Sequence, residues 1–105
     1  MDKLKFVYEN DTLTIKVIGD IDHHSAQGVR SIADGVIFEK RPRLVILDLS
    51  AVEFMDSSGL GLILGRYNAS EEIGAEFKIN KPARNVQRVL ELAGIERIIK
   101  IEGGK

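Results

Sequence analysis

Asp56-Ser57-Ser58, followed by Gly59-Leu60-Gly61, puts two hydroxyls and a carboxylate side by side in a 105-residue chain that has no cysteine and two histidines. Such a set could serve as a nucleophile, a phosphate cradle, a helix cap or a site of covalent modification. A nucleophile elbow needs Gly-x-Ser-x-Gly, so that a sharp strand-to-helix turn exposes the hydroxyl. The outer residues are Met55 and Gly59 around Ser57, and Asp56 and Leu60 around Ser58. Neither frame fits, and no base with an orienting partner can be read for His23 or His24. A dinucleotide fingerprint fails at its third glycine, which falls on Leu64 with Gly65 one residue late, and no Gly-Lys-Ser/Thr occurs. Gly61 and Gly65, one helical turn apart, read instead as positions where this helix can approach the sheet or a partner closely.

Capping is the plain structural role for Asp56, Ser57 or Ser58. A capping box would need Glu or Gln three residues on, where Gly59, Leu60 and Gly61 stand. If Asp56 or Ser57 is the cap, backbone N–H groups occupy its side chain, and Ser58 in the first turn keeps the freer hydroxyl. His23 and His24 are adjacent at the mouth of an earlier helix. Neighbouring residues do not share a helix face, so they make a poor metal pair even with Asp20 and Asp22 nearby. Those carboxylates suit a helix N-terminus, and a polar loop on a rigid scaffold can carry partner contacts.

The elements that must hold these residues can be read from periodicity. Leu4, Phe6 and Tyr8 alternate with Lys5, Val7 and Glu9; Leu13, Ile15 and Val17 alternate strictly with polar neighbours, and Asn10-Asp11 predicts a hairpin turn between the two runs. From Ser25 the period becomes helical, with Ala26, Val29, Ile32, Ala33, Val36 and Ile37 on one face and Gln27, Arg30, Ser31 and Asp34 opposite. Arg41-Pro42 closes this helix. Residues 43–49 read as a strand covered on both faces. Residues from Ser57 to Glu72 form a helix with Leu60, Ile63, Leu64 and Tyr67 at helical spacing, and Gly74 follows as its stop. Ala75 to Ile79 is a strand. Pro82 opens a third helix in its first turn, with Ala83, Val86, Val89, Leu90 and Ala93 as its stripe and Gly94 as its end. Ile98, Ile99 and Ile101 make a last strand. The order ββαβαβαβ predicts a single α/β domain over residues 1–105, a mixed sheet of four to five strands with helices packed on it.

Composition narrows the function. Hydrophobic residues make up 44% and charged residues 30%, with a formal net charge of −1. There is no basic surface for a nucleic-acid backbone. Without cysteine there are no disulfides, no thiolate catalysis and no cysteine-based zinc sites. The N-terminal residues lack the apolar region of a signal peptide and no run reaches a membrane span, so a cytosolic location is expected.

Gly19-Asp20-Ile21-Asp22-His23-His24, together with Phe54-Met55-Asp56-Ser57-Ser58-Gly59-Leu60-Gly61-Leu62-Ile63-Leu64-Gly65-Arg66-Tyr67, resembles the STAS domain of anti-sigma factor antagonists, in particular the sporulation type. The resemblance covers nearly the whole chain. It implies a non-enzymatic, cytoplasmic switch that needs no cofactor and acts in transcription regulation. The unphosphorylated form binds an anti-sigma factor that is also a serine kinase, and a sigma factor is released. The kinase phosphorylates Ser58 with ATP and the complex breaks; a PP2C-type phosphatase restores the hydroxyl. By the same resemblance Asp22, His23, Asp56, Ser57, Ser58, Gly59, Leu60 and Gly61 face the partner. Family members usually carry a further C-terminal helix, so the sheet face it covers is expected to be more exposed here or covered by another element. The alternative is a STAS module that senses a small ligand or nucleotide.

Overall fold

The computed structural model describes residues 3–103, with the side chains of residues 23–26 outside the described set. The elements are β1 (Leu4–Glu9), β2 (Thr12–Ile18), α1 (His23–Lys40), β3 (Leu44–Ala51), α2 (Ser57–Glu72), β4 (Glu76–Asn80), α3 (Arg84–Leu92), a 3₁₀ turn (Ile95–Arg97) and β5 (Lys100–Glu102). The strands form one sheet in the order β1-β2-β3-β4-β5, with β1 antiparallel to β2 and every other pair parallel. The expected mixed sheet and element order are present, at the upper strand count.

Asn10 and Asp11 close the β1–β2 hairpin with φ of 53° and 61°. Two positive central φ angles are what a two-residue hairpin needs to match the strand twist. The Tyr8 hydroxyl donates to Asp11 Oδ1 at 3.0 Å across the same turn.

Each crossover from β2 onward advances the sheet by one strand in the same direction. Right-handed connections therefore carry α1, α2 and α3 to the same face. Leu13, Ile15 and Val17 of β2, Val45, Leu47 and Leu49 of β3, and Phe77 and Ile79 of β4 are all buried in one cluster beneath the helices. The neighbours of these residues point the other way. This corrects the reading of residues 43–49 as covered on both faces: β3 alternates, with Leu44, Ile46 and Asp48 only half-buried. The open face is mixed instead, with charged pairs beside Leu44, Ile46 and Val7. Lys16 stands opposite Asp48 in the β2–β3 register, and Glu102 on β5 takes Lys78 Nζ at 2.8 Å and Lys100 Nζ at 3.1 Å.

Three further expectations change. The first helix starts at His23 rather than Ser25, and on it Ile32 is 57% exposed while Asp34 is half-buried. Its end is as expected: Arg41 leaves the helix at φ 47°, with its N–H on the Ile37 carbonyl at 2.9 Å. The third helix begins at Arg84, so Pro82 is not in its first turn. Pro82 is buried before the helix, and Ala83 takes the N-cap place. Ile98 and Ile99 precede the last strand, because Gly94 at φ 74° ends α3 and a 3₁₀ turn intervenes before Lys100. Ile99 is buried, whereas Ile98 is 55% exposed.

Candidate functional site

The loops after β2 and β3 are sewn together. Gly19 N–H donates to the Ala51 carbonyl at 3.0 Å, Ile21 N–H to the Phe54 carbonyl at 3.0 Å, and Asp56 N–H to the Ile21 carbonyl at 3.3 Å. Ile21 and Met55 form a parallel bridge and are both buried. These bonds satisfy backbone groups that would otherwise be orphaned where the strands stop pairing. They also set the start of α1 beside the start of α2, so Asp22 and Asp56–Gly61 lie around one end of the sheet. Asp22 is exposed. His23, grouped with this set on sequence grounds, has its side chain outside the described residues, as does His24.

Asp56 is the cap. Its backbone is extended (φ −100°, ψ −169°), and Oδ1 accepts the Ser58 N–H at 2.8 Å, while its carbonyl accepts the Gly59 N–H at 2.9 Å. Ser57 is the first helical residue and is exposed; Ser58 is second and half-buried. Among the described residues the Ser58 hydroxyl makes no hydrogen bond, so the carboxylate takes the capping role and the hydroxyl remains available. The positive end of α2 lies under it.

Gly59 is the close-approach glycine of the motif. A Cβ there would overlap Met55 Cγ and Sδ, whereas nothing lies within 4 Å of a Cβ placed on Gly61 or Gly65. The close approach to the sheet expected of Gly61 and Gly65 is therefore corrected. The helix buries a face turned away from theirs: Gly59, Leu62, Ile63, Arg66, Ala69 and Ser70. Leu60, Leu64 and Tyr67 are half-buried on its flank, packed against the core, and Gly61 is exposed. Leu60 thus brings apolar surface next to the two serines, and Phe54, 50% exposed, adds more just before them.

Sequence reasoning missed what locks α2 against α1. Arg66 is 4% exposed; its Nε meets Asp34 Oδ1 at 2.7 Å, Nη2 meets Oδ2 at 3.1 Å, and Nη1 donates to the Leu62 carbonyl at 3.0 Å. A two-pronged guanidinium–carboxylate contact fixes orientation as well as distance. Buried Ser70 donates to the Arg66 carbonyl at 2.9 Å. The usable signal was an arginine at position 66 in register with the buried face at 59, 62 and 63. Asn85 at the start of α3 donates to the Glu53 carbonyl, tying the third helix to the same loop.

Among the described residues no three His, Cys, Asp or Glu side chains could hold a metal ion, and no helix is long and apolar enough to cross a membrane. A depression of about 420 Å³ lined by Asn10, Asp11, Thr12, Arg43, Leu44, Gly74 and Glu76 lies at the opposite end of β3 from the serines.

A mostly parallel sheet covered by helices on one face, with an Asp-Ser-Ser-Gly turn leading into the second, is the architecture of a STAS domain. The chain belongs to that family, which matches residues 4–103. Its relatives include the anti-sigma F factor antagonist of Paenibacillus polymyxa, 32% identical over 99 residues that span 94% of this chain and 85% of that protein. Among solved structures, the anti-sigma factor antagonist SpoIIAA in its unphosphorylated form superposes with a TM-score of 0.79 at 26% identity, covering 93% of this chain and 86% of that one. The Bacillus cell fate determinant SpoIIAA in the phosphorylated form gives 0.71 at 25% identity, covering 93% and 89%.

Proposed function

We propose that this chain is an anti-sigma factor antagonist of the sporulation type. In this reading its unphosphorylated form binds an anti-sigma factor that is also a serine kinase, which releases a sigma factor. The kinase transfers the γ-phosphoryl group of ATP to Ser58 Oγ, the hydroxyl gives up its proton, and ADP is the second product. A PP2C-type phosphatase hydrolyses the ester. Asp22, His23, Asp56, Ser57, Ser58, Gly59, Leu60 and Gly61 form the partner-facing set. The protein contributes no catalytic group and no cofactor; Ser58 is a substrate for another protein's chemistry, and the setting is the cytoplasm.

The observation that carries this reading is the Asp56 cap. The α2 amide nearest Ser58 is already taken by a carboxylate, so a phosphate on Ser58 cannot settle into the cap without displacing Asp56. Phosphorylation adds about −1.5 to −2 charge at pH 7. The helix end offsets this by roughly 0.3–2 kcal/mol, and the Asp56 carboxylate opposes it. The fold therefore changes little, and the charge is felt by whatever docks. A like charge about 4 Å away across an interface costs roughly 4 kcal/mol at an effective dielectric of 20, on the order of a thousandfold in affinity. The likeness of this chain to both forms of SpoIIAA fits a local switch.

Incubation with a cognate anti-sigma kinase and ATP should add one phosphate at Ser58 and release the kinase, and Ser58→Ala should accept none and stay bound. Phosphate incorporation into Ser58→Ala but not into Ser57→Ala would move the site by one residue.

A further inference from the structure

We propose that the free edge of β1 is a self-association surface, on which β1 of a second copy pairs antiparallel about a two-fold axis through Val7. β1 is an outer strand of the sheet, and its Val7 and Tyr8 are 53% and 42% exposed. The Ile18 N–H reaches the Lys3 carbonyl at 2.8 Å, and Lys5 and Val7 face Lys16 and Thr14 in register. Backbone polar groups alternate sides along an antiparallel strand. Lys3, Lys5, Val7 and Glu9 therefore spend theirs on β2, and the N–H and C=O groups of Leu4, Phe6 and Tyr8 point to the open edge.

A second copy centred on Val7 presents matching groups. Phe6 falls opposite Tyr8 of the other chain, so both residues of each hydrogen-bonded pair are ones whose groups are free. On the face away from the helices Lys5 falls opposite Glu9, twice by symmetry, with Val7 against Val7 between them. Neighbouring registers lose this match: centring on Lys5 sets Lys5 against itself, and centring on Phe6 sets Lys5 against Val7. Edge strands of monomeric sheets commonly carry charge that repels a visitor. Here opposite charges stand at equal distances either side of an exposed valine, which selects a second copy instead. Among the described residues neither Lys5 nor Glu9 has an ion-pair partner, and the Lys5 neighbour within the hairpin is Lys16, of like charge. Opposite charges directly across a strand pair stabilise it, and like charges do the reverse.

Charge reversal separates this from a general apolar contact without endangering the fold, since Lys5→Glu relieves the contact with Lys16. Sedimentation velocity of the full chain should show a concentration-dependent dimer. The dimer should weaken about tenfold or more in Lys5→Glu and in Glu9→Lys and recover in the double reversal. In the Val7→Cys variant the introduced thiol is the sole one of the chain. The two copies would meet as a non-hydrogen-bonded pair with Cα atoms about 4.5 Å apart, within the roughly 4.4–6.8 Å that a disulfide spans. Mild oxidation should link them, and Lys5→Glu in the same chain should slow the linkage by a similar factor. A wild-type chain that stays monomeric at millimolar concentration, leaving this edge to a different protein's strand, overturns the proposal. So does a dimer indifferent to the single reversals, or one that the double reversal fails to restore.

Discussion

α2 and α3 begin alike and are held differently. Asp56 and Ala83 are both extended N-cap residues, at φ −100°, ψ −169° and φ −63°, ψ 161°. Asp56 caps with its side chain; Ala83 makes no side-chain cap bond. Around the start of α2, directional contacts accumulate: the backbone bonds of Ile21 with Phe54 and Asp56, and the Asp56 cap. α3 rests on fully buried Val86 and Leu90, with the bond from Asn85 to Glu53 at its start. Burial is non-directional and holds a helix down without fixing its first turn. In the proposed reading α2 presents the Ser58 hydroxyl at a set place, and that calls for the directional kind.

The contrast can be broken first where α2 is locked to α1. Asp34→Ala leaves the Arg66 guanidinium, 5% exposed, without its carboxylate, and urea denaturation should show a loss of about 3 kcal/mol. Arg66→Met should cost less, because Asp34, at 35% exposure, can turn to water. Next comes Gly59→Ala, which forces Met55 aside. A loss of about 1–3 kcal/mol is expected, and less than additive with Met55→Ala in a double-mutant cycle. Asp56→Ala should cost about 1 kcal/mol and speed hydrogen exchange at the Ser58 amide, whose partner is lost. Ala83→Asp tests the other side of the comparison: it should stabilise by about 0.5–1 kcal/mol, since α3 gains a cap it lacks. An unchanged or lowered midpoint would show that burial alone already fixes its start.

The smallest effect is electrostatic. The hydrogen bond from Lys78, then that from Lys100, holds the Glu102 carboxyl below the usual carboxylate range. A depressed carboxylate contributes stability above its unfolded pKa, about 4.3, and loses it as pH falls through the lower folded value. Glu102→Gln should therefore narrow the stability difference between neutral and acidic pH. A denaturation series at falling pH reads this directly.

Strict alternation in β2 and the turn at Asn10-Asp11 were legible because local chemistry decides both. So was the place of Asp56-Ser57-Ser58-Gly59 at a strand-to-helix junction, which its order and the flanking periodicity mark. The Arg66–Asp34 lock was not legible, because an arginine reads as surface by type while α2 turns Arg66 inward to meet Asp34 on another element. That partner lies 32 residues away along the chain, beyond the reach of any local pattern. The two-sided burial assigned to β3 failed for a similar reason: its apolar run includes Leu44 and Ile46, but the layering depends on the direction of three crossovers. The late start of α3 follows from Pro82 being buried ahead of Ala83 rather than entering the helix.

The stitching of Ile21 to Phe54 and Asp56 has a kinetic consequence. These residues are distant in sequence, and the bonds between them exist only after β2, α1 and β3 have closed on one another. Loop-closure entropy must be met before such contacts form. A nascent or locally opened chain therefore carries the serine without the surface that surrounds it. A partner that reads this surface also reads whether folding is complete.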